Sequence, residues 1–313
     1  MCTHVPPTMS RTLLLLALPA LALAAAGVGL ARTASHTTAG GGPLEVVAAE
    51  NVWGSLAAQL GGTHAHVTSV IANPATDPHD YEPTAADART LAGARLVIMN
   101  GVGYDPWAQK LLDANPVHGR VVLDVGDLVG IAPGGNPHRW YSPADVRKVI
   151  RQIARDYAGL DPKHAAYFRQ RRASLDSRGL APYHRLLASI ARRYHGVRVG
   201  ASESIFAPLA RALRLDLVTP SGFLKAISEG TEPTAKDEST IARQIARREL
   251  RVWVYNGQNA TPDVARITDA ARKRGIPVVS VTETPTPASA SFQSWQVRQL
   301  RALAAALAKA TGR

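Results

Sequence analysis

From residue 44 onward the chain alternates short apolar runs with amphipathic helical stretches. It does so twice, on either side of one long helical pattern. Strands are expected at 44–49, 67–71, 96–100 and 121–125, with helices at 52–60, 84–91 and 107–112 between them. A β-α-β-α-β order requires crossover connections, and these give a parallel sheet with helices on both faces. A helix opens at Ser142-Pro143-Ala144-Asp145, with a hydroxyl cap, a proline in the first turn and an acid at the positive end. The pattern over 162–194 would span about 50 Å as one helix, with Gly179 and Pro182 placed to kink or split it. The alternation then resumes, with strands at 197–201, 215–218, 252–255 and 278–281. Helices are expected at 205–213, 239–248, 262–274 and 295–310. The reading is a first α/β lobe over 44–160, a linking helix over 161–195 and a second α/β lobe over 196–313.

In open parallel sheets, ligands bind beyond the carboxyl ends of the strands. Four metal-competent residues fall there. His79 lies in Asp77-Pro78-His79-Asp80-Tyr81-Glu82-Pro83, where two prolines stiffen the loop. His138 lies in a second loop of that kind, Asn136-Pro137-His138-Arg139-Trp140-Tyr141-Ser142-Pro143. Glu203 follows the strand at 197–201, and Glu283 follows the strand at 278–281. Two imidazoles from one lobe and two carboxylates from the other would close on a divalent first-row cation. The only cysteine is Cys2, so thiolate sites and a disulfide framework are excluded.

These motifs carry a resemblance. Together with Glu50-Asn51, Ala201-Ser202-Glu203-Ser204, Glu232-Pro233 and Thr282-Glu283-Thr284, they resemble the solute-binding proteins of zinc- and manganese-type ABC importers, over essentially all of 44–313. The resemblance implies two Rossmann-like lobes, a rigid linking helix and a buried metal site whose ligands are His79, His138, Glu203 and Glu283. It also implies Zn2+ or Mn2+ as cargo, handed to a membrane permease. Glu50, Asn51, Trp140 and Asn256 are candidates to hold or pack the ligands, since imidazole tautomers need such partners. Many zinc-type members have histidine at the position of Glu203 and a His-rich loop between the two Pro-His motifs. Here that interval holds only His118. An oxygen-richer set leans towards manganese, whereas the general affinity order favours zinc, so both metals stay open. Another reading stays open as well: a metallohydrolase with a three-ligand metal and Glu283 as general base.

The remaining histidines are expected at the surface. His64 and His66 follow Gly61-Gly62 in an exposed turn, away from the cleft, and His164, His184 and His195 decorate the long helical stretch. The formal charge of +12 is carried mostly by arginines scattered over many helices, which argues against a nucleic-acid stripe. Residues 1–31 read as an export signal or an uncleaved anchor: Arg11 precedes an apolar run to Leu30 that contains small residues suited to cleavage. Met9 is an alternative start to Met1. No cysteine follows the apolar core, so no lipid anchor is expected there. Residues 32–43 read as a flexible tether, and the location expected for the rest is periplasmic or extracytoplasmic.

Overall fold

A computed structural model describes residues 42–76 and 81–313. The expected signal and most of the tether lie outside the described residues, and so does His79.

The first lobe runs β1 (Leu44–Glu50), α1 (Asn51–Gly61), β2 (Ala65–Ile71), α2 (Ala85–Gly93), β3 (Leu96–Met99), α3 (Pro106–Ala114), β4 (Val121–Asp124) and α4 (Val125–Val129), and α5 (Pro143–Leu160) closes it. Every strand pair is parallel, and the order is β2-β1-β3-β4. The link consists of α6 (Ala165–Ser174), a π-helical turn at Leu175–Gly179 and α7 (Ala181–Arg193), with Pro182 in the first turn of α7. The second lobe runs β5 (Arg198–Ala201), α8 (Ala207–Ala212), β6 (Asp216–Leu217), α9 (Ser221–Ser228), α10 (Ala235–Ala246), β7 (Val252–Asn256), α11 (Pro262–Lys273), β8 (Val278–Val281) and α12 (Phe292–Thr311). Its strands are also parallel, in the order β6-β5-β7-β8. The two lobes therefore share one topology. Among the described residues, no helix is long and apolar enough to cross a membrane.

Strand alternation sorts the core. In β1, Val47 and Ala49 face one cluster with Leu91, Trp107 and Leu112 from α2 and α3. Val46 and Ala48 face a larger cluster, which continues through Trp140, Tyr157, Phe168 and Leu180 to Val199, Val252, Val254, Phe292 and Trp295. On the far side of the second sheet, Trp253 packs with Ile241, Val264 and Ile267. One apolar body thus runs from the inner face of the first sheet, past the helical link, to the inner face of the second. α6 packs on α5 and α1, whereas α7 packs on α12. α12 also reaches back to the first lobe, where the Phe292 N–H donates to Ser55 Oγ at 2.9 Å.

Three sequence expectations are corrected. The strand expected at 121–125 ends at Asp124, because the Asp124 carboxylate accepts from the Asp127 N–H and starts α4 at Val125. The helix expected at 239–248 begins four residues earlier, where Thr234 caps α10 by accepting from the Asp237 N–H. α9 was not expected: its flanks carry no side-chain cap.

One glycine bears on the rim of the cleft. Gly101 has φ +69°, and a β-carbon there would sit 2.2 Å from Asp124 Oδ1. Gly101→Ala therefore combines a left-handed backbone with displacement of the α4 cap. Denaturant unfolding is expected to show a loss of about 2–3 kcal/mol.

Candidate metal centre

The carboxyl ends of both sheets supply the residues of interest. β1 ends in Glu50, β3 runs into Asn100 and Tyr104, and His138 lies beyond β4 and α4. Across from them, Glu203 follows β5, Asn256 ends β7 and Glu283 follows β8. One donor atom from each of His138, Glu203 and Glu283 lies within 4.8 Å of the others. All three residues are buried, at 0%, 1% and 3% exposure.

Each donor is held from behind. The Asn136 side-chain oxygen lies 3.0 Å from His138 Nδ1 and also accepts from the His138 N–H. A proton on Nδ1 leaves the lone pair on Nε2, which lies 3.8 Å from Glu283 Oε2. Edge-on contacts with Trp140 and Tyr104, at centroid distances of 5.4 and 6.1 Å, fix the plane of the imidazole. Asn256 Nδ2 donates to Glu203 Oε1 at 2.9 Å and to Glu283 Oε1 at 2.8 Å, so one amide aligns both carboxylates. Asn259 Nδ2 holds the other oxygen of Glu203 at 2.9 Å. The Tyr104 hydroxyl donates to Glu283 Oε2 at 2.5 Å across the interface of the lobes.

The loop carrying Glu283 is fastened by Gln258, whose side-chain oxygen accepts from the backbone N–H groups of Glu283 and Thr284 at 2.6 and 3.0 Å. The amide of Gln258 donates to the Pro74 carbonyl in the first lobe. Asn136 Nδ2 donates to the Ser204 carbonyl at 2.6 Å, also between lobes. A cavity of about 520 Å³ adjoins this point and is lined by Asn136, Ser204, Lys225, Ser228 and Glu229 among others.

Glu50 and Asp105 form a second buried acidic pair behind the site. Burial, and then the neighbouring Asp105, pushes the Glu50 carboxyl well above the usual carboxylate range. Burial also pushes Asp105 up to about 6, although it accepts from the backbone N–H groups of Asn100 and Gly101.

Of the residues singled out from sequence, His138, Glu203 and Glu283 converge, and Asn256 and Trp140 touch them. Asn51 instead donates to the Ala72 carbonyl at 3.3 Å, at the start of the loop that leads to the undescribed residues. Glu50 faces Asp105. The sequence reading missed Tyr104, Asn136, Asn259 and Gln258. Asn136 stands in the Asn-Pro-His motif, and the strand-end rule that found Glu203 applies equally to Asn259, three residues past β7.

Buried nitrogen and oxygen donors between two parallel-sheet lobes form a set suited to a divalent metal ion. Residues 46–306 match the ZnuA family, described as zinc-uptake complex component A, periplasmic, and the chain belongs to that family. A putative metal-binding protein of Treponema pallidum is 23% identical over 245 residues, covering 72% of this chain and 75% of that protein. The manganese-binding lipoprotein MntA of Halalkalibacterium halodurans is 28% identical over 154 residues. That match covers 47% of this chain, and the chain spans only about half (49%) of MntA. In fold, the chain resembles the SBP FpvC of P. aeruginosa, solved with Ni2+, with a TM-score of 0.71 at 21% identity, over 87% of this chain and 99% of FpvC.

Proposed function

We propose that this chain is an extracytoplasmic receptor that captures Zn2+ or Mn2+ between its lobes and delivers the ion to the permease of an ABC importer. The observation that carries this reading is the convergence of His138, Glu203 and Glu283, from opposite lobes, on one buried point. His79 is the fourth ligand in this proposal. Two carboxylates neutralise a divalent charge, and carboxylate oxygens able to bind in pairs would accommodate the higher coordination number of Mn2+. The halves 44–160 and 196–313 act as the two jaws.

The clamp on both carboxylates favours a ligand role for Glu283 over a general base. Asn256 treats Glu203 and Glu283 alike, donating to one oxygen of each, so the two carboxylates are presented as a matched pair. Metal analysis of protein purified without chelator, followed by competition between Zn2+ and Mn2+, tests the reading. A protein that takes up neither ion tightly would sink it.

Binding is also expected to depend on pH. An imidazole must be deprotonated to ligate, so affinity should fall by up to about tenfold per pH unit for each ligating histidine as acid protonates it. Competition with a chelator of known pH response, from neutral to mildly acid solution, measures this. A flat profile would count against histidine ligation.

A further inference from the structure

A second donor cluster lies at the opposite end of the first sheet, where His64 closes a 3-10 turn just ahead of β2. The sequence reading left His64 and His164 as separate surface residues, yet the fold brings them together. Their rings stack at a centroid distance of 3.7 Å with an interplanar angle of 27°. His164 Nδ1 lies 2.6 Å from Asp161 Oδ2, one turn back at the junction of α5 and the helical link. One donor atom from each of His64, Asp161 and His164 lies within 4.8 Å of the others, and all three residues are half-buried.

We propose that His64, Asp161 and His164 form a peripheral metal site, separate from the cleft, for a borderline divalent ion such as Zn2+. Two nitrogens and one carboxylate oxygen match the donor preferences of zinc, with water in the fourth position. Donors around tetrahedral zinc stand about 3.4 Å apart, so to ligate one ion the two rings turn out of their stack to aim their lone pairs at a common point. The Asp161 carboxylate already stands beside His164, and Tyr167 lies edge-on to His64 at 4.6 Å. The competing explanation is a purely structural stack. It accounts for the Asp161–His164 pair as a local i,i+3 contact, and the metal reading differs from it in expecting His64 to bind the same ion. A bound ion would tie the turn ahead of β2 to the start of the link.

The test is equilibrium dialysis of the full chain against micromolar Zn2+, with bound metal quantified. The native protein is expected to hold one Zn2+ equivalent that is lost in His64→Gln and in Asp161→Asn and retained in Glu283→Gln. The Asp161 variant is isosteric, and circular dichroism confirms that each variant is folded. Zn2+ uptake equal in native protein, His64→Gln and Asp161→Asn would overturn the proposal. Because the decisive comparison involves only the peripheral variants, a cleft that failed to bind metal would not change its outcome.

Discussion

Glu283→Gln is expected to weaken Zn2+ or Mn2+ binding by more than about a hundredfold and to leave the metal-free protein at least as stable as the native one. Loss of a partner behind a metal ligand commonly costs 10–100-fold in affinity, as an order of magnitude, and loss of a charged donor exceeds that range. The second half of the expectation follows from charge. Glu203 and Glu283 are buried carboxylates held beside one another by Asn256. Without a cation, two like charges in such a place repel and are poorly solvated. Glutamine removes one charge and keeps the bond from Asn256 to its oxygen, while its amide reverses the bond to Tyr104, whose hydroxyl proton must turn elsewhere. Titration calorimetry or chelator competition gives the affinity, and melting in chelator gives the stability. An unchanged affinity would remove Glu283 from the ligand set.

Asn256→Asp should have the largest effect on the metal-free protein. The substitution conserves shape but replaces the amide that donates to both glutamates with a third acceptor. Two buried carboxylate oxygens then lose a donor while a further negative charge faces them. The expected cost in denaturant unfolding with chelator present is about 3 kcal/mol or more. Added metal should recover part of this, because a cation offsets the surplus charge. Unfolding curves that superimpose on those of the native protein would show that Asn256 is not the clamp described above.

The parallel sheets were legible because strands buried on both faces leave short apolar runs, and helices between them leave a longer period. His138, Glu203 and Glu283 were legible as well. Glu203 and Glu283 stand just beyond strand ends, where topology directs side chains into the cleft, and His138 was marked by its Asn-Pro-His motif. Other features depend on contacts that leave no local trace. α4 is five residues long and starts on a valine that reads as strand. Tyr104 reaches Glu283 across 179 positions of sequence. His64 and His164 each look like an isolated polar residue until the turn before β2 meets the end of α5. Gln258 shows the same gap, since nothing in Gly257-Gln258-Asn259 signals that one amide fastens the neighbouring loop to the other lobe.

The apolar body shared by both sheets has a mechanical consequence. A receptor that opened like a clam shell would have to expose Trp140, Phe292 and Trp295 to water, and fully buried aromatic side chains resist that by several kcal/mol each. Wide opening of that kind is therefore expected to be costly, because it would break up this shared body. For the same reason the two halves should melt in a single step, neither surviving as an independent fragment.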